Sequence, residues 1–135
     1  MARTFLLEIV TPEKIVFSEE VESLVVPAHE GYLGVLAGHA PLLATINPGE
    51  ITIRNGGGEK HFSTGGGFVE VQPKKTVVLS ESAERADEIV LERALKAREK
   101  AKETLKTAKN LDRVEAENAL ARAEARIRAA QRRGK

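Results

Sequence analysis

The residues of this chain that could perform chemistry are few and scattered. His29, His39 and His61 have neither the spacing of metal ligands nor cysteine partners, so we predict no metal site. No serine stands in the sequence context of a nucleophile elbow. The glycine run at residues 56–58 is not followed by lysine and serine or threonine, as it would be in a phosphate-binding P-loop. The sequence therefore indicates no catalytic site, and we do not expect an enzyme.

The composition divides the chain into two parts. All five prolines, ten of the eleven glycines and every aromatic residue lie within residues 1–73, whereas residues 74–133 contain neither glycine nor proline. Glycine and proline end helices and form turns, so this change predicts a β-rich domain over residues 1–83 and a helical arm over residues 84–135. The absence of cysteine excludes disulfides and thiolate chemistry. Because no apolar run approaches the length of a membrane span, we expect no direct membrane insertion.

The first part reads as short β-strands separated by turn residues. The predicted strands cover residues 3–10, 14–17, 21–26, 51–53, 60–63, 68–71 and 75–79. Residues 29–50 are interrupted by glycine or proline every few positions, so we predict turns joining very short strands there. Eight or more strands at this spacing favour an antiparallel β-sandwich or a flattened barrel.

Alanines repeating every seven residues organise the second part. The repeats are Ala94, Ala101 and Ala108 in one series and Ala116, Ala123 and Ala130 in another. Between them, Asn110 can adopt a left-handed conformation that ends one helix, and Asp112 can cap the next. We therefore predict an antiparallel hairpin of two helices, residues 87–108 and 113–132, joined by an alanine seam. Alanine buries little apolar surface, so the arm either opens readily or is simply a static hairpin.

The arm is the basic part of the chain. Residues 84–135 carry fifteen lysines and arginines against ten aspartates and glutamates, whereas the whole chain has a net charge of +1. A basic helix is usually only a solvated face, but it can also bind nucleic acid, anionic lipid or an acidic protein surface.

Three motifs resemble the epsilon subunit of the rotary ATP synthase. Residues 30–43 read EGYLGVLAGHAPLL, which is similar to that family's two spaced glycines followed by a Gly-His-x-Pro-Leu turn. Residues 63–71 read STGGGFVEV, which resembles the family's Ser-Gly-Gly-Phe-x-Glu-Val strand with extra residues among the glycines. Residues 83–86 read AERA and open the arm as in that family. The motifs occur in the family's order, and the resemblance covers the whole chain.

The resemblance implies a non-catalytic subunit of the central stalk, whose sandwich packs on the gamma subunit and rests on the membrane rotor ring. The candidate interface residues are Glu30, Gly31, Tyr32, Leu33, His39 and Pro41. Of these, Glu30–Tyr32 match the ring-facing loop, and His39 matches a histidine near gamma. His39 could instead be a turn histidine that caps a backbone carbonyl. The implied location is peripheral, on the cytoplasmic face of the bacterial plasma membrane.

The resemblance also implies a regulatory arm with two states. Folded on the sandwich, the family's arm permits ATP hydrolysis; extended along gamma, it inhibits hydrolysis because its basic residues meet an acidic segment of the beta subunit. The candidate inhibitory residues here are Arg122, Arg126, Arg128, Arg132 and Arg133.

Some bacterial relatives bind a regulatory ATP on the folded arm, although no cofactor is required. Their helix-start motif is Ile/Leu-Asp-x-x-Arg-Ala, and residues 89–94 here read IVLERA. The candidate ATP-binding residues are Glu84, Ile89, Arg93, Ala94, Arg122 and Arg126. Val90 replaces the motif's aspartate and removes an acceptor, which weakens the prediction of ATP binding.

An alternative of another class is a small nucleic-acid-binding protein that uses the basic arm. The arm, however, interleaves acidic with basic residues and has no aromatic side chain to stack on bases. We therefore expect protein partners, namely gamma, the rotor ring and the beta subunit, and no nucleic acid.

Overall fold

Ten β-strands followed by two helices make up the described part of the chain. The structure is a computed structural model that describes residues 3–132, without the side chain of Arg132. The strands are β1 (Phe5–Val10), β2 (Ile15–Val21), β3 (Ser23–Ala28), β4 (Gly31–Leu36), β5 (Leu42–Ile46), β6 (Gly49–Asn55), β7 (Gly58–Thr64), β8 (Gly67–Val71), β9 (Lys75–Ser80) and β10 (Ala83–Arg85). The predicted β-sandwich followed by a helical hairpin is confirmed. The interrupted segment 29–50 contains β4 and β5, two strands of ordinary length, rather than mainly turns.

The strands join into one sheet that folds around a single core. Their order is β10-β7-β6-β3-β5-β8-β9-β1-β2, with β4 paired to β3. All neighbours are antiparallel except β1 and β9, which run parallel with Leu7 opposite Thr76. The predicted antiparallel sandwich therefore contains one parallel pair, which the sequence did not indicate. The alternation of apolar residues indicates which side chains face inward, but it does not indicate which distant strand lies alongside.

Buried and half-buried side chains alternate along β1, and the buried ones face the core. In β1, Phe5, Leu7 and Ile9 are at most 1% exposed, whereas the residues between them are half-buried. Full burial of each such side chain contributes roughly 1.5–3 kcal/mol. The core cluster draws on β1 to β9 and includes no helical residue, so the sandwich encloses its own core.

The two helices begin and end close to the predicted positions. A 3₁₀ turn at Ala86–Glu88 precedes α1 (Leu91–Thr107), and α2 spans Leu111–Arg132. The predicted start at residue 87 was wrong because the chain is extended at Ile89 and Val90, and α1 begins only after them. Asn110 is left-handed, with φ of 57°, as predicted. It directly precedes α2 and its carbonyl accepts from the amide of Val114, so the predicted cap at Asp112 was wrong.

Alanine forms the seam between the helices. Ala94, Ala101, Ala116, Ala123 and Ala130 are buried, as the heptad pattern predicts, and Ala108 is half-buried near the hairpin turn. The seam therefore consists mainly of methyl groups, which bring the two backbones close together while burying little apolar area.

Candidate functional site

The arm meets the sandwich on a row of side chains that crosses three strands. Glu50 of β6 lies opposite Ser63 of β7, and Ser63 lies opposite Glu84 of β10. Since paired residues point to the same face of a sheet, these three side chains form one line on the outer face. We call them the carboxylate row.

Two arginines of α2 bind the carboxylate row. The Nε atom of Arg126 lies 2.8 Å from Oε1 of Glu84, and the Nε atom of Arg128 lies 3.5 Å from Oε1 of Glu50. The Glu84 pair is partly solvated, with side chains 32% and 43% exposed. The Glu50 carboxylate is different, because it is only 5% exposed. Glu50 was not among the predicted site residues, since a lone glutamate in a strand reads as an ordinary solvent-facing residue.

Small residues let α2 lie close to the sheet. Ala125 and Ala129 are fully buried although they are not part of the seam. A side chain at Gly65 would collide with Ser82 and would come within 3.2 Å of Cδ of Arg122. Where the arm joins the sandwich, Ala86, Ile89, Ala129 and Ala130 form a small apolar cluster with Leu91 packed against it.

The structure brings some of the candidate ATP-binding residues together at one groove. Arg122 and Arg126 line an open groove of about 1030 Å³ between the helices, together with Lys100, Thr104 and Asn110. Glu84 reaches this region only through its ion pair with Arg126. Ile89 is buried in the apolar cluster, and among the described residues lining the groove neither Arg93 nor Ala94 is present.

The candidate interface residues lie at the two ends of β4. Glu30 is the last residue of the β3–β4 turn, and β4 begins with Gly31, which has φ of 124°, and Tyr32, which is 63% exposed. Leu33 is half-buried. His39 and Pro41 follow the other end of β4, roughly 17 Å away at about 3.3 Å per residue. His39 Nδ1 lies 2.7 Å from the backbone oxygen of Ala40, the geometry of a turn histidine at a carbonyl.

An exposed apolar row lies on the outer face of the other half of the sheet. Phe68 of β8 pairs with Leu79 of β9, Leu79 with Val10 of β1, and Val10 with Ile15 of β2. Phe68, Leu79 and Ile15 are 51%, 49% and 60% exposed. The row begins beside the β3–β4 turn, because the amide of His29 donates to Thr45 and Thr45 pairs with Phe68. Sequence reasoning missed this row because it depends on strand order.

Other chemistry has little basis in the described residues. Between residues 3 and 131, no three histidine, aspartate or glutamate side chains come together as metal ligands would. Neither helix in the described part combines the length and the apolar character that a bilayer crossing requires.

The structure therefore divides into a sandwich with its own core and a helical hairpin docked on it. Residues 4–86 match the family described as "ATP synthase, Delta/Epsilon chain, beta-sandwich domain", and residues 87–131 match "ATP synthase, Delta/Epsilon chain, long alpha-helix domain". The chain belongs to the ATP synthase delta/epsilon chain family. The resemblance to the epsilon subunit noted in the sequence is thereby confirmed.

Individual relatives agree with this assignment. The chain is 44% identical over 132 residues to the ATP synthase epsilon chain of Desulforamulus reducens, covering 97% of this chain and 100% of that one. It is 46% identical over 128 residues to the epsilon chain of Solibacter usitatus, covering 94% and 96%. A chain of the Euglena gracilis mitochondrial ATP synthase structure, which contains OSCP, F1 and c-ring, has a TM-score of 0.83 at 26% identity. That match covers 95% of this chain and 81% of the other.

Proposed function

We propose that this chain is a non-catalytic central-stalk subunit that links gamma to the membrane rotor ring and inhibits ATP hydrolysis through its movable arm. As part of the synthase it would lie peripherally on the cytoplasmic face of the bacterial plasma membrane. The observation that carries the proposal is the separation of the arm from the core. Among the described residues, the core cluster contains none from the helices, and the arm is held by buried alanines, a small apolar cluster that includes Ile89, and two ion pairs. The arm can therefore leave without opening the sandwich.

The exposed apolar row supports a protein partner for the sandwich. Neighbouring apolar side chains that are about half exposed, as Phe68, Leu79 and Ile15 are, are typical of a binding surface. We assign this row to gamma, and the neighbouring turn at Glu30–Tyr32 to the rotor ring, which the resemblance to the family implies. A glycine-rich turn with one exposed tyrosine suits contact with loops of a partner.

Binding of purified gamma tests this assignment. Replacing Phe68 and Leu79 together by glutamine should weaken binding about tenfold or more, as loss of central apolar contacts does in other interfaces. Leu111→Gln is the matched control, because Leu111 is 80% exposed but lies on the arm. If the control weakens binding as much as the double variant, the arm rather than the sandwich is the anchor.

A regulatory ATP on the arm has partial support. Arg122 and Arg126 line an open groove and could meet phosphate oxygens. Arg126 is already paired with Glu84, so a phosphate would have to share or displace this carboxylate. ATP binding on the arm therefore stays a prediction, and we derive no step of the inhibitory cycle from it.

The nucleic-acid alternative has less support. Several cations of the arm are paired with carboxylates, including Arg113 with Glu117 at 3.1 Å and Lys106 with Glu103 at 3.2 Å. A phosphate backbone would have to displace these partners. Retention on DNA that falls steeply with salt would favour the alternative, and we expect no such retention.

A further inference from the structure

The two arginines that bind the carboxylate row leave α2 on opposite flanks. Residues in a helix are about 100° apart, so Arg126 and Arg128 point about 160° away from each other around the axis. Ala125 and Ala129 fall between them on the short arc, and both are fully buried. This arc faces the sheet, because α2 packs on β7 and β6.

The spacing of the carboxylates matches this arrangement. Glu50 and Glu84 lie on the two strands that flank β7, about 10 Å apart at roughly 4.8 Å per strand. That distance is close to the diameter of a helix with its side chains, about 10–12 Å. The helix therefore lies along β7 with its alanines against the strand, and one arginine reaches down on each side to a carboxylate.

We propose that Glu50 and Glu84 form a latch that holds Arg126 and Arg128 and so withholds these arginines from the acidic partner of the extended arm. This inference rests on the proposed inhibitory function, in which the same arginines contact an acidic segment of the beta subunit in the catalytic head of the synthase. The arm cannot be docked on the sandwich and extended into the head at the same time, so these guanidiniums contact one or the other. The carboxylates of the sandwich therefore compete with the head for these arginines, and each contact favours one state of the arm.

The latch predicts that replacing its carboxylates and replacing its arginines have opposite effects on the inhibition of ATP hydrolysis. Replacing the carboxylates by glutamine releases the arm while leaving its charge intact, so inhibition should increase. Replacing the arginines releases the arm and also removes the charge that inhibits, so inhibition should decrease. If the carboxylates did not hold the helix, replacing them would leave inhibition unchanged.

Docking is measured in the isolated full-length chain, independently of inhibition. The chain has no cysteine, so Gln72→Cys on the β8–β9 turn and Lys109→Cys at the tip of the arm can be labelled for energy transfer. Glu50→Gln with Glu84→Gln should raise the undocked fraction by about fivefold or more. Glu8→Gln is the matched control, since Glu8 is paired with Lys75 at 3.0 Å on another part of the sheet, and should leave the fraction unchanged.

A charge-exchange variant distinguishes loss of the ion pair from a general loss of folding. Glu84→Arg combined with Arg126→Glu should restore docking that either single change reduces. If the carboxylate variant leaves the label distance unchanged, or if the exchange restores nothing, the latch is wrong.

Inhibition is then measured with the purified catalytic head and gamma. The latch predicts stronger inhibition of ATP hydrolysis by the carboxylate variant than by the unmodified chain. If the carboxylate variant undocks the arm but does not inhibit more strongly, the proposed competition for the arginines is wrong. If hydrolysis is equal with and without the unmodified chain, the proposed inhibitory function is wrong. The label distances in the isolated chain would still show whether the latch exists.

Discussion

Arg126 of α2 and Glu84 of β10 form an ion pair with 2.8 Å between Nε and Oε1. The pair ties the last helix to the last strand of the sheet, and β10 in turn pairs with β7 through Ala83–Arg85. The arm is therefore anchored on an edge strand that lies just before it in the sequence. Truncations next to β10 test where the sandwich ends, and substitutions in the arm test how firmly it is held.

A chain ending at Glu88 should fold cooperatively without the arm, because the core cluster contains no helical residue. A chain ending at Ser82 loses β10 and should be less stable by about 1–3 kcal/mol, the contribution of two or so backbone hydrogen bonds. Thermal unfolding followed by circular dichroism compares the two. An unfolded Glu88 chain at room temperature would mean that the arm completes the fold.

Ala123→Leu should destabilise the docked hairpin by about 1–3 kcal/mol, because the fully buried seam has no room for three more carbons. Ala101→Leu should cost less, because Ala101, although buried, also lines the open groove. The control is Ala119→Leu, since Ala119 lines the open groove. Hydrogen exchange of the helix amides measures the effect. Equal exchange in the seam and groove variants would contradict a closely packed alanine seam.

Val90→Asp should stabilise α1 by about 0.5–2 kcal/mol, because Val90 is the N-cap of α1 and provides no side-chain acceptor. The aspartate of the family's ATP-binding motif would thus occupy a capping position. Helix stability is read from circular dichroism, and ATP affinity from calorimetry on the same variant. A stabilised helix with unchanged ATP affinity would identify the motif's aspartate as a structural cap in this chain.

Replacing Arg122, Arg126, Arg128, Arg132 and Arg133 together by glutamine should leave gamma binding intact and greatly reduce inhibition. Glutamine keeps a similar helix propensity, so the loss would come from charge. A single exposed pair contributes only about 0.2–1 kcal/mol, so one substitution should have little effect. Arg133 and the side chain of Arg132 lie outside the described residues. Undiminished inhibition by this variant would mean that the arm acts as a steric wedge.

The sequence predicted the elements better than their contacts. Apolar runs between turn residues identified strands such as residues 3–10, and the alanine heptads identified Ala101 and Ala123 as the seam, because these patterns are local. The parallel pairing of β1 with β9 and the row from Phe68 to Ile15 depend on which distant strands become neighbours. Periodicity carries no such information.

The same limit applies to the site. Glu84 and the arginines of α2 were found through resemblance to a family, but the pairing of Glu50 with Arg128 joins residues 78 positions apart and has no sequence signal. Ala125 and Ala129 fall outside the heptad series, so their contact with the sandwich was not predicted either. The start of α1 was placed too early because Asp87 and Glu88, ordinary residues for a first helical turn, form a separate 3₁₀ turn.

The most direct test of the account is ATP hydrolysis by a purified catalytic head with gamma, measured with the full chain and with the chain ending at Glu88. Both should bind gamma, because the sandwich carries the proposed binding surface. We predict that the full chain lowers the hydrolysis rate and that the truncated chain does not. If both chains bind and hydrolysis is the same with either, the arm does not inhibit, and the central claim is wrong.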